Sequence, residues 1–159
     1  MTTTHTIMVH WYIDNEAYQF DATFHVKKIC ILKNDCSQCF NYFVKNPDDL
    51  PHLPSTDTVR HQMRRHKLSW IFGDVTFASV LKQIIQKLGP TAPPVYIKGF
   101  EKFTFLRPHI TNLRQMPESP SFDSMNNCMC EMCDAKHGKY CARRKVHELR
   151  YYDYNICGI

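Results

Sequence analysis

One segment near the carboxyl end of the chain, residues 128–141, carries five soft metal donors in fourteen positions. Four of them are separated by intervals of two, three and three residues: Cys130, Cys133, His137 and Cys141. Zinc takes four nitrogen or sulfur ligands in a tetrahedron, and a turn followed by the start of a helix can supply them at such spacing. The segment therefore predicts a structural zinc site, and the alternative is a set of reduced thiols that hold no metal.

The composition favours a globular intracellular protein. With 159 residues, 43% of them apolar, the chain is long enough for a single domain over residues 1–159 with a core of its own. No basic stretch followed by an apolar one opens the sequence, and no apolar run approaches the ~20 residues that span a bilayer. Eight cysteines in such a chain are expected to be free thiols or metal ligands, and we expect the cytoplasm or nucleus rather than secretion.

Basic residues are concentrated in two groups, and the formal net charge is +5. The first group contains Arg60, Arg64, Arg65, His66 and Lys67. The second group contains Lys136, Lys139, Arg143, Arg144, Lys145 and Arg150. Basic surfaces attract polyanions, so the two groups predict a nucleic-acid partner, with single-stranded RNA preferred. The alternative is that they are solvated helix faces.

Residue patterns predict an α/β fold. Runs of β-branched and aromatic residues predict strands at residues 6–13, 24–32, 40–44, 95–98 and 110–113, with a turn at residues 14–17. Caps and apolar stripes predict helices at residues 57–65, 76–88, 100–106 and 140–152. Three antiparallel strands followed by alternating helices and strands predict a mixed sheet with flanking helices.

This order of elements resembles the ribonuclease H-like superfamily. Four-carboxylate 3′–5′ exonucleases of that superfamily carry Asp-x-Glu at the end of the first strand, where this sequence has Asp14 and Glu16. The resemblance implies that these carboxylates would be catalytic and would hold Mg²⁺ or Mn²⁺ if the protein were an active nuclease. The alternative is that both acids merely close a β-turn.

Two further positions depart from the exonuclease pattern. The exonucleases need an aspartate after the fourth strand, where this sequence has Lys98, Glu101 and Lys102. They also need a histidine and an aspartate on the last helix, where Cys141 and Lys145 stand. The resemblance therefore implies a degenerate nuclease without efficient two-metal catalysis.

The same losses resemble the Maelstrom domain, a ribonuclease H-like relative in which a Glu-Cys-His-Cys zinc set replaces the magnesium site. The resemblance implies Glu16, Cys133, His137 and Cys141 as counterparts. Residues 26–32 (Val-Lys-Lys-Ile-Cys-Ile-Leu) and 96–102 (Tyr-Ile-Lys-Gly-Phe-Glu-Lys) also resemble proteins of this superfamily from viruses and mobile elements of invertebrates. A viral origin would imply a host-cell location.

Several alternatives stay open. The fourth zinc ligand could be Glu16, Cys130, or a cysteine of the Cys36-Ser-Gln-Cys39 pair, which could also join Cys130 and Cys133 in a four-thiolate site. An active nuclease could recruit other acids: Asp74, Glu101, Glu148 or Asp153. A third hypothesis is a protein-interaction module whose basic groups contact acidic partners.

Overall fold

The computed structural model describes residues 8–116 and 142–152 of the chain. Its strands are β1 Trp11–Phe20, β2 Thr23–Lys33, β3 Cys39–Phe43, β4 Val95–Ile97 and β5 Leu113–Gln115. They form one sheet in the order β3-β2-β1-β4-β5. The first three strands are antiparallel neighbours, whereas β4 and β5 extend the sheet in parallel to β1.

The described helices are α1 Asp57–His66, α2 Phe77–Leu88, α3 Phe100–Leu106 and α4 Ala142–Tyr152. Thr56 and Thr76 cap α1 and α2, since each hydroxyl accepts a hydrogen bond from an amide in the first turn. The predicted α/β class, a mixed sheet flanked by helices, is confirmed. None of the helices in the described ranges is long and apolar enough to cross a bilayer.

Helices pack on both faces of the sheet because β1 and β2 carry apolar residues on both. One core joins Ile13, Ile29 and Ile31 to Val80 and Ile84 of α2 and to residues of α3. On the other face, Tyr12, Cys30 and Leu32 pack against Ala142, Val146 and Leu149 of α4. A third cluster of Tyr18, Val59 and Trp70 holds α1 near the end of β1.

The prediction that residues 14–17 form a turn is wrong. Strand β1 runs through them to Phe20, and the turn lies at Asp21 and Ala22, whose φ angles are 53° and 56°. Positive φ at two central residues suits a two-residue hairpin, whose twist matches that of the strands. Asp14, Asn15 and Glu16 were read as a polar turn, but they are 3%, 1% and 2% exposed.

Two other differences concern β2 and β5. Glu16 pairs with Lys28 and Ala17 with Val26, so Lys27 is an extra residue that bulges from β2. Strand β5 begins at Leu113 rather than at residue 110. Asn112, with φ of 62°, adopts the left-handed conformation, and the extended chain can begin only after it.

Candidate functional site

Asp14 forms a buried ion pair with Lys102 in the middle of the sheet. The parallel pairing of β1 with β4 covers Trp11 and Tyr12 only, so Asp14 lies just beyond it, towards the start of α3. Lys102 stands in the first turn of α3, and its Nζ lies 2.6 Å from Asp14 Oδ1. The Asp14 side chain is 4% exposed and that of Lys102 is 27% exposed. Asp14 Oδ2 has no hydrogen-bond partner within the described part of the chain.

Glu16 lies on the same face of β1 as Asp14 and connects the sheet to α4. Its carboxylate accepts a hydrogen bond from the backbone amide of Ala142, the first residue of α4. First-turn amides of a helix have no partner within the helix, and a carboxylate is favoured there by the helix dipole. Glu16 therefore contributes to fixing the start of α4 against β1.

Burial raises the pKa of Glu16 to about 7. The positive charge of Lys28, its cross-strand partner, is the largest effect opposing this rise. Lys28 is itself only 2% exposed, and its Nζ lies 5.3 Å from the centre of the Phe43 ring. Two carboxylates and two ammonium groups thus lie close together: Asp14 and Glu16 on β1, Lys28 on β2 and Lys102 on α3.

Among the described residues, Asp14 and Glu16 are the buried acids at this place. The described residues contain no group of three or more His, Cys, Asp and Glu side chains that could hold a metal ion. Asp74 and Glu101, two other acids that an active nuclease could recruit, are exposed. The side chain of Glu148 and the residue Asp153 are not among the described parts of the chain. The oxygen Asp14 Oδ1 contacts the ammonium of Lys102.

The predicted zinc ligands other than Glu16 fall outside the described residues: Cys130, Cys133, His137 and Cys141. Glu16 is the predicted ligand that the structure describes. The amide that donates to it belongs to Ala142, which follows Cys141 directly in the sequence. The carboxylate therefore contacts the first described residue of α4.

The pair Cys36 and Cys39 belongs to the hairpin between β2 and β3. Cys36 is exposed in the turn with φ of 62°, and Cys39 begins β3. The Sγ of Cys39 lies 3.7 Å from the Sγ of buried Cys30 on the neighbouring strand. Sequence reasoning missed this contact because Cys30 was read only as a strand residue.

The first basic group lies on an exposed helix. Arg60, Arg64 and Arg65 on α1 are exposed, and Lys67 is exposed in the left-handed conformation that ends the helix. Val59 is the buried residue of α1 in the third core cluster. Because α1 buries little apolar surface, packing against the core does not explain its basic residues. The second group contributes Arg143, Arg144 and Lys145 to the first turn of α4.

Sequence reasoning also missed the role of Lys27. This residue is 2% exposed, and its ammonium donates to the carbonyl oxygens of Val44 and Phe72. Its Nζ also lies 5.4 Å from the centre of the Trp70 ring. Burial lowers the pKa of Lys27 to about 8. Lys27 thus links the loop after α1 to the end of β3 through hydrogen bonds.

Comparison of the chain with protein-family models and with curated proteins finds no match in either case. The function must therefore be inferred from the residues described above.

Proposed function

We propose that the chain is a ribonuclease H-like, zinc-stabilised domain that binds nucleic acid, with single-stranded RNA preferred, and lacks efficient two-metal catalysis. The ion pair between Asp14 and Lys102 carries this proposal. Two-metal sites need several carboxylates around ions about 4 Å apart. An ammonium on the first of these carboxylates, with Lys28 buried nearby, puts positive charge where cations would have to bind.

The arrangement of the sheet supports the ribonuclease H-like assignment. Three antiparallel strands are followed by two strands parallel to β1, in the order β3-β2-β1-β4-β5. The acids of the Asp-x-Glu motif, Asp14 and Glu16, lie on the central strand. The last helix begins over them. This is the order of elements from which the resemblance was inferred.

Zinc at this position would be held by Glu16 together with Cys133, His137 and Cys141, with Cys130 as the alternative donor. The position of Glu16 suits this role, because it is a buried carboxylate beside the residue that follows Cys141. Zinc would supply a structural link between the sheet and the last helix. The residues of this chain would supply the anchor on β1, through Glu16, and the packing of α4 over Tyr12 and Cys30.

The exposed basic residues of α1 support the choice of nucleic acid as partner. Asp57 is the one acid in a helix that also contains Arg60, Arg64 and Arg65. Its contact with Arg60 measures 3.9 Å between exposed side chains, and such pairs contribute little. The exposed guanidinium groups of Arg60 and Arg64 can contact phosphates, which bind Arg in a bidentate geometry.

Fluorescence anisotropy with a labelled single-stranded RNA tests the binding proposal. We expect log affinity to fall linearly with log salt, and a double variant, Arg60→Glu with Arg64→Glu, to weaken binding at least tenfold. The matched control reverses Lys82 and Lys87, exposed residues of α2 on the opposite side of the sheet, and should change affinity less. Equal losses in the two variants, or affinity independent of salt, would overturn the proposal.

A degradation assay tests the absence of two-metal catalysis. We expect no Mg²⁺- or Mn²⁺-dependent 3′–5′ degradation of labelled single-stranded RNA or DNA by the wild-type protein. The comparison protein carries Asp14→Ala and Glu16→Gln. Metal-dependent degradation by wild type that disappears in this variant would establish an active nuclease instead.

A further inference from the structure

Two neighbouring apolar side chains are exposed beside the open edge of the sheet. Ile71 is 74% exposed and Phe72 is 57% exposed. The ring of Phe72 meets the ring of Phe43, on the edge strand β3, at a centroid distance of 5.1 Å and an angle of 80° between planes. This edge-to-face contact supports Phe72 from one side and leaves more than half of the side chain in solvent.

Two contacts fix the backbone of the loop that carries Phe72, so the ring of Phe72 is exposed on an ordered support. The carbonyl of Phe72 accepts a hydrogen bond from Lys27 Nζ at 2.8 Å. The next residue, Gly73, has φ of +124°, and a Cβ at that position would lie 2.5 Å from the carbonyl oxygen of Val44. Only glycine permits this close approach of the loop to the strand end. Phe72 is therefore presented to solvent by a fixed support.

The register of the sheet puts this aromatic pair in line with the start of α4. Glu16 pairs with Lys28 on β2, and Lys28 pairs with Phe43 on β3, so the three residues form one row across the sheet. Neighbouring strands are about 4.8 Å apart, which puts Phe43 about 10 Å from Glu16 along this row. Because the Ala142 amide contacts Glu16, α4 begins at the other end of the row.

The first basic group is close to Phe72 along the chain. Lys67 ends α1, and Phe72 follows five residues later in the same short connection. Asp48 and Asp74 are exposed acids in neighbouring loops, and Asp48 contacts Lys45 at 3.3 Å. The surface around Phe72 is therefore not uniformly basic: these acids lie in the neighbouring loops, and the exposed basic residues belong to α1 and to Lys67 at its end.

We propose that Phe72 stacks against an unpaired base of a single-stranded nucleic acid whose phosphates contact α1. This inference rests on the proposed function and assigns its base-contacting residue. Sites for single strands combine positive charge that follows the backbone with aromatic rings on which bases stack. In a duplex the faces of the bases are already stacked on one another, so Phe72 selects single strands without selecting a sequence.

The test measures binding of two labelled probes, an oligothymidylate of about 12 nucleotides and an abasic strand with the same number of phosphates. Stacking of one base corresponds to roughly 5- to 150-fold in affinity. We expect Phe72→Ala to weaken binding of oligothymidylate about tenfold or more and to leave binding of the abasic strand and the slope of log affinity against log salt unchanged. Phe72→Trp should retain or increase the affinity for oligothymidylate.

Two further variants separate stacking from support of the loop. Phe72→Leu keeps an apolar contact with Phe43 but lacks an aromatic face, and it should behave like Phe72→Ala. Phe100→Ala removes a ring that is 69% exposed on α3, and it should leave binding unchanged. Phe72 variants that bind oligothymidylate like wild type, or that lose equal affinity for both probes, would overturn the inference while leaving the proposed function intact. A wild-type protein that binds neither probe would overturn both.

Discussion

Lys102 Nζ lies 2.6 Å from Asp14 Oδ1, although 88 positions separate the two residues in the sequence. The pair joins α3 to the central strand of the sheet at the place where β4 has ended. Asp14 is almost fully buried, so its carboxylate depends on this ammonium for compensation of its charge. Lys102 keeps about a quarter of its side chain in solvent, and water screens the attraction in part.

Removal of the ammonium should destabilise the fold. We expect Lys102→Met to lower the free energy of unfolding by about 1–3 kcal/mol, because the buried Asp14 carboxylate would lose its partner. Adding Asp14→Asn should recover most of that loss, since no uncompensated charge would remain. Urea unfolding of the two single variants and the double variant gives the coupling free energy. Additive losses would show that the two side chains do not interact in solution.

The carboxylate of Glu16 should contribute to the docking of α4. Glu16→Ala removes the acceptor of the Ala142 amide, and hydrogen bonds to charged groups are worth about 1.5–3 kcal/mol. Glu16→Gln keeps an acceptor and should cost less. Hydrogen exchange at the Ala142 amide should accelerate more in the alanine variant than in the glutamine variant. Glu101→Ala, a change at an exposed acid of α3, is the control and should leave this amide protected.

Much of the fold follows from local patterns. Strands β2 and β3 and helices α1, α2 and α3 lie within a residue or two of their predicted ranges, because apolar periodicity and the threonine caps mark them. The pattern predicts the first strand at residues 6–13, but β1 begins at Trp11 and runs to Phe20. Three consecutive polar residues signal a turn unless partners compensate them, and the partners of Asp14 and Glu16 lie 88 and 126 positions away.

The bulge in β2 is the second feature that local patterns did not show. Lys27 and Lys28 are charged, yet each is only 2% exposed. One extra residue in the strand lets both lysines turn inward. Lys27 donates to backbone carbonyl oxygens, and Lys28 lies over the ring of Phe43. The burial of Lys27 also makes the stability of the fold depend on pH.

Stability should rise with pH between about 8 and 10.5 through the titration of Lys27. The folded protein holds the pKa of this lysine near 8, below its ordinary value of 10.5, because burial disfavours the charged form. Between these values the unfolded chain binds more protons than the folded one, so the free energy of unfolding increases with pH. Below pH 8 both states carry the charge, and the effect is constant.

Lys27→Met isolates this contribution. At pH 7 the variant should be destabilised, because the carbonyl oxygens of Val44 and Phe72 lose their donor. The difference between wild type and variant should widen as the pH rises from 8 to 10.5, since only the wild type gains stability from this group. Urea unfolding at intervals of pH measures the difference. A gap that narrows over this range would contradict the lowered pKa of Lys27.

One zinc ion per chain should accompany the protein, and its removal should loosen the sheet from the last helix. Metal binding and folding are coupled in structural zinc sites, so chelation should lower Tm by roughly 10 °C or more. Cys141→Ser and His137→Ala should cause similar losses of stability and of bound zinc, measured by metal analysis.

The four-thiolate alternative predicts that Cys36→Ser would cause the same losses of stability and of bound zinc. Cys36 is exposed in a hairpin turn, so this substitution should leave both quantities unchanged. Gently purified protein with well under half an equivalent of zinc would contradict the zinc site itself. Loss of zinc in Cys36→Ser would instead assign ligands to the pair Cys36 and Cys39.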